Sequence, residues 1–105
     1  MITAFDDFCV HQTAQPVAEP SQSDRNFYDR YWFNGFDDTG NYVFEVALGL
    51  YPNRHVMDAH FSVAMGDRQV AFHGSRRAPT ERSDTAVGPL RISVERPLRE
   101  LRIVL

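Results

Sequence analysis

The stretch VMDAHFSVAMGDRQVAFHGSRR, residues 56–77, decides how this chain folds. Gly66-Asp67 sits at its centre, and a Gly-X pair suits a two-residue type II′ turn because Gly accepts the positive φ that the turn demands. With that loop Met65 faces Arg68, and the register of the whole hairpin follows. Val63 faces Val70 and Phe61 faces Phe72, which makes one apolar face of cross-strand pairs. On the other face Ser62 opposes Ala71, His60 opposes His73 and Asp58 opposes Ser75.

Outward from the hairpin the same period recurs. In residues 42–51 the large side chains Tyr42, Phe44, Val46, Leu48 and Leu50 alternate with Val43, Glu45, Ala47 and Gly49, so one face is core. Pro52-Asn53-Arg54 closes that run, since Pro cannot donate to a strand ladder. Residues 27–36 are dominated by aromatics, which suit a pleated, half-buried surface, and they end in the turn formers Asp37-Asp38-Thr39-Gly40-Asn41. Alternation sets Tyr28, Arg30, Trp32 and Asn34 on one face, with Phe27, Asp29, Tyr31 and Phe33 on the other. Downstream, a charged loop over residues 78–85 leads to strands over 90–94 and 98–105, separated by Glu95-Arg96-Pro97. The pattern predicts an all-β antiparallel meander over residues 26–105, with almost no helix.

Residues 1–25 lack a sustained period and carry Pro16, Pro20 and Ser21-Gln22-Ser23-Asp24, so they read as an extended, irregular arm anchored by Phe5, Phe8 and Val10. The last strand alternates without a closing turn. That pattern predicts truncation at the C-terminus, with the open sheet edge satisfied by the rest of a longer chain or by a second copy.

Composition narrows the function classes. With 105 residues the chain holds one core, and 43% apolar residues at a net charge of −3 make it globular. No apolar run is long enough for a membrane span, and Asp6 and Asp7 stand where a secretory signal carries basic residues, so a cytoplasmic location is expected. A pI near 5.7 argues against a nucleic-acid surface. The single Cys9 permits neither an internal disulfide nor a Cys-based zinc site and reads as a small buried apolar residue. All the basic residues are Arg, a sign of high-GC coding.

Four segments carry a family resemblance: residues 6–13 (DDFCVHQT), 23–35 (SDRNFYDRYWFNG), 47–53 (ALGLYPN) and 87–90 (VGPL). Together they resemble the start of bacterial proteins related to carotenoid 1,2-hydratase (hydroxyneurosporene synthase) and the AttH-like group, which are built as tandem lipocalin-like barrels. The resemblance implies that residues 26–105 form part of a lipocalin-like barrel around an apolar small molecule, an isoprenoid, polyene or lipid. It implies hydratase- or cyclase-type chemistry, or a non-catalytic carrier of the same shape. It assigns no catalytic residue and no cofactor.

Candidate site residues come from the strand faces. Asp58, His60 and His73 converge on one face of the hairpin. They are read as proton-transfer groups with Asp58 fixing an imidazole tautomer, as a polar face bonded to water and neighbouring strands, or as ligands in a metal-dependent enzyme using His60 and His73. Trp32, Asn34, Tyr28 and Tyr31 are candidate ligand contacts, with core packing as the alternative for each. His11 and Gln12 are read as a local turn or as a contact to a further domain. Arg76, Arg77 and Arg82 read as a solvated, mixed-charge loop.

Overall fold

The computed structural model describes residues 1–11 and 13–105; Gln12 lies outside the described residues. Its strands are β1 (Asp29–Phe36), β2 (Tyr42–Tyr51), β3 (Val56–Met65), β4 (Arg68–Arg77), β5 (Ala86–Val87), β6 (Leu90–Arg96) and β7 (Glu100–Val104). The fold is all-β, as expected. Strands β1-β2-β3-β4 form an antiparallel meander, β5-β6-β7 form a second, smaller sheet, and no closed barrel results.

The central hairpin forms in the expected register, with Met65 opposite Arg68, His60 opposite His73 and Asp58 opposite Ser75. Gly66 takes φ 60° while Asp67 keeps a negative φ, the signature of a type II′ turn. The β1–β2 loop is held by Asp37, whose carboxylate accepts from the Thr39 hydroxyl and, at 3.0 Å, from the Tyr42 N–H. These donors hold the Asp37 carboxyl below its usual range. Between β2 and β3 a short 3-10 turn, Pro52–Arg54, ends at His55 in the left-handed region. Its Asn53 amide donates to the carbonyls of Gln22 and Asp24, both at 2.7 Å, and so pins the end of the arm.

Strand β5 is the element alternation does not reveal, because Ala86 and Val87 are too short a run to show a period. The Gly88-Pro89 pair turns the chain so that Val87 opposes Leu90, with Gly88 at φ 55°. The last strand is shorter than residues 98–105, because Pro97, Leu98 and Arg99 form the turn into β7, with Leu98 at φ 55° and the Arg99 N–H bonded to the Arg96 carbonyl at 2.9 Å.

One core joins these parts. Tyr31, Val46, Leu48, Leu50, Met57 and Ala59 of the meander meet Val87, Leu90 and Ile92 of the small sheet. Burying each large aliphatic side chain contributes about 1.5–3 kcal/mol. The arm is irregular in path, but it is no loose extension: Cys9, Val10 and Val17 are buried in the same core. Its backbone is held by Tyr31 Oη, which donates to the Asp7 carbonyl at 2.5 Å, and by Asp29, which accepts from the Val10 N–H at 2.8 Å. Arg82, expected to be solvated, is instead buried at 7% exposure. Irregular backbone inside a core needs hydrogen-bond donors, and Arg82 supplies them to the carbonyls of Val10 and Gln15. Arg76 does remain at the surface, paired with Asp84 at 3.0 Å.

The apolar side of the meander is filled by the arm and the small sheet, and the opening lies on the opposite face, the one that carries Tyr28, Arg30 and Trp32. Strands β1 and β4 are the edges of the meander, with no hydrogen-bonded strand among the described residues on their outer sides. Among the described residues no helix is long and apolar enough to cross a membrane.

Candidate functional site

Antiparallel registry lines up the outward side chains of the meander in rows across its open face. One row runs Trp32, Ala47, His60, His73, and the next runs Arg30, Gly49, Asp58, Ser75. The flanking row towards the β1–β2 loop is Asn34, Glu45, Ser62, Ala71. Strand β2 contributes only Ala47 and Gly49 to the middle of this face, so a trough runs there between the larger side chains of β1 and those of β3 and β4. It forms an open groove of about 560 Å³ lined by Tyr28, Arg30, Tyr51, Asp58, His60 and His73 over a floor of Ala47 and Gly49.

The groove has an aromatic end and an imidazole end. At the first, the Tyr28 and Tyr51 rings stack with centroids 5.3 Å apart. Burial, then the nearby Asp58 charge, raises the Tyr51 phenol above its ordinary value, so its hydroxyl stays a donor. Gly49 keeps the middle open. A Cβ built there would stand 2.9 Å from Asp58 Oδ1 and 3.1 Å from the Tyr51 hydroxyl, so both groups lean over a gap that only glycine leaves. At the second end the His60 and His73 rings stack at 5.7 Å and 24°.

The partner that orients His60 is Glu45, and the sequence reading assigned that role to Asp58. Glu45 Oε1 accepts from Trp32 Nε1 at 2.9 Å and lies 3.2 Å from His60 Nε2. The Trp32 hydrogen bond first, and His60 second, hold the Glu45 carboxyl below its usual range. An ionised carboxylate only accepts, so His60 carries its proton on Nε2, and in the neutral ring Nδ1 presents the lone pair. Asp58 lies one row away, opposite Ser75, and has no bond to either imidazole.

The other candidates separate. Tyr28 lines the groove, and Trp32 flanks it in the His60 row. Asn34 stands a row further along, in a separate depression with Phe36, Val43 and Ser62. Tyr31 is not a groove residue: alternation turns it inward, it is 8% exposed, and burial drives its phenol far above the ordinary value. His11 makes a local bond, its Nδ1 lying 3.1 Å from the Phe8 carbonyl, and Gln12 lies outside the described residues. Cys9 is buried as expected, with its thiol pushed up to about 12 by desolvation and then by Asp29. Among the described residues no group of three or more His, Cys, Asp or Glu side chains is placed to hold a metal ion.

Sequence reasoning missed Glu45, Gly49 and Tyr51. Glu45 had a signal, being the only charged residue among the small side chains of β2 and a diagonal neighbour of His60. Gly49 and Tyr51 had none, because their importance depends on what the adjacent strands place beside them.

No curated protein and no solved structure matches the chain. One family model, described as "Family of unknown function (DUF8625)", matches residues 2–105, nearly the full length. The chain therefore belongs to that family of unknown function.

Proposed function

We propose that this domain binds a small molecule with a flat or extended apolar body in the groove on the open face of its meander. The observation that carries the reading is the stacked Tyr28–Tyr51 pair beside the glycine floor at Gly49, in a groove of about 560 Å³. Small-molecule sites combine apolar and aromatic walls with a few placed polar groups, and this groove has both. The isoprenoid, polyene or lipid class and the relation to carotenoid 1,2-hydratase belong to this proposal, resting on the residue resemblance given above. So does the pairing of an open edge, β1 or β4, with further polypeptide or a second copy.

A second reading, in which the domain acts on its ligand, is favoured by the Glu45–His60 contact at 3.2 Å. That contact holds the His60 imidazole by Nε2 and leaves Nδ1 as its unbonded nitrogen, with His73 stacked on the ring and Asp58 a row away, and a positioned imidazole is the commonest proton-transfer group.

Trp32 is the sole tryptophan and flanks the groove, so its emission reports occupancy. Titration with retinol, a neutral conjugated isoprenoid whose absorption overlaps indole emission, is expected to quench Trp32 saturably. Tyr28→Ala and Tyr51→Ala are expected to weaken the effect. Absence of saturable quenching up to the solubility of the probe overturns the binding reading.

A further inference from the structure

Two opposite charges line the groove without pairing. The Arg30 guanidinium is held along its own strand by the two rings of its face, with Cζ 5.8 Å from the Tyr28 centroid and 5.9 Å from that of Trp32. Cation–π contacts of this kind fix the plane of the guanidinium while leaving its N–H edge free for an acceptor. No carboxylate among the described residues lies within ion-pair distance of it. In the same row, beyond Gly49, the half-buried Asp58 carboxylate leans inward over the glycine and bonds to no side chain among the described residues.

The two charges sit two strands apart, roughly 10 Å between backbones at ordinary strand spacing. Position 49, between them, is glycine, and the space above it is shared by the Asp58 carboxylate and the edge of the Tyr51 ring, whose hydroxyl would stand 3.1 Å from a Cβ there. Arg30 is exposed and solvated, while a half-buried group such as Asp58 gains from a partner, so a ligand that completes Asp58 and reaches the ring-held guanidinium is favoured over one that meets neither. Arg30 calls for a carboxylate, which its planar fork binds in two places. Asp58 calls for a donor beside that carboxylate, a hydroxyl or an ammonium. The Tyr51 hydroxyl, also leaning over Gly49, offers a further donor to the carboxylate.

We infer that the ligand of this groove is a carboxylic acid with a hydroxyl or amino group near its head, its carboxylate on Arg30, its donor on Asp58 and its apolar body along Tyr28 and Tyr51. The inference rests on the binding reading above and goes beyond it by naming the head group. It involves recognition only and no bond is made or broken.

The test uses the whole chain, Trp32 emission and four probes of one chain length below their micellar concentrations: decan-1-ol, decanoic acid, 3-hydroxydecanoic acid and 3-aminodecanoic acid. Decanoic acid is expected to bind at least roughly tenfold more tightly than decanol, the scale of one charge-assisted contact, and the two substituted acids more tightly again. Arg30→Gln is expected to bring the acid-to-alcohol ratio close to one. Asp58→Asn is expected to remove the advantage of the substituted acids over decanoic acid. Arg102→Gln, on exposed β7 and away from the groove, controls for net charge and keeps both ratios. Equal binding of alcohol and acid by the wild-type chain overturns the head-group assignment while the groove reading stands. If no probe binds and retinol does not bind, the groove reading falls and this inference falls with it.

Discussion

Two glycines on opposite faces of the meander give a sharp test of which side is core. At Gly49, on the open face, an added Cβ would meet Asp58 Oδ1 at 2.9 Å and Tyr51 Cε2 at 3.0 Å, both at the ends of side chains that can swing into solvent. At Gly74, on the inner face, it would meet Phe72 Cζ at 2.8 Å and Val87 Cγ1 at 3.3 Å, where the second sheet presses on the first. Replacing a strand glycine by alanine removes backbone freedom from the unfolded chain and contributes about 0.5–1 kcal/mol of stability in either place. Overpacking a filled core costs about 1–3 kcal/mol, and that penalty applies only at Gly74. Gly49→Ala is therefore expected to leave stability unchanged or slightly raised. Gly74→Ala is expected to be less stable than Gly49→Ala by about 1–3 kcal/mol, a gap in melting temperature of roughly 4–20 °C for a domain of this size. Urea unfolding followed by far-UV circular dichroism measures the difference; Trp32 emission is the wrong probe because it lies close to the first site. If Gly49→Ala is the more destabilised variant, the assignment of the open and packed faces is wrong, and the groove with it.

Other consequences are simpler to check. Leu48 is completely buried at the centre of the core, so Leu48→Ala is expected to cost about 2–5 kcal/mol in urea unfolding, and a loss below 1 kcal/mol would contradict the packing. The Cys9 thiol, raised from 9.0 to about 12, is expected to resist Ellman's reagent in the native chain and react fully in denaturant. Because the folded value is the higher one, that contribution is complete below pH 9 and is lost as pH climbs towards 12, by at most about 1.4 kcal/mol per pH unit. Cys9→Ala should flatten this alkaline slope, and an unchanged slope would refute the attribution. Glu45 shows the opposite sign: its folded value is depressed, so its contribution is present above the ordinary carboxylate range and fades as acid protonates it through the lowered value. Trp32 emission is expected to titrate there in the wild type and not in Glu45→Gln; an identical titration in both would place the reporter elsewhere.

Local chemistry made much of this fold legible. Gly66-Asp67 fixes the register of β3 and β4 because a two-residue turn leaves no freedom in pairing, and the side-chain sizes along β2 show which half of the strand is buried. What stayed hidden depends on contacts between distant segments. Alternation shows that a strand has two sides but not which neighbour covers each, so it does not reveal that Val10, Val17, Leu90 and Ile92 fill the greasy one. Arg82 reads as a surface charge until the arm folds over it. At the site, the hairpin already juxtaposed His60 and His73, while Glu45, which orients one of them, comes from β2 and enters only through the second pairing of the sheet.

The outer flank of β4 has a consequence for self-association. Its middle, Gln69 to Ser75, holds no Asp, Glu, Lys or Arg, while Arg68 and Arg77 stand at the two ends. Were two copies to zip together antiparallel along this whole strand, each Arg68 would land opposite its twin's Arg77, and like charges set directly across a ladder repel. The arginines thus disfavour this one full-length, in-register pairing of β4 with its twin, while a shorter or shifted pairing along the uncharged middle escapes that repulsion.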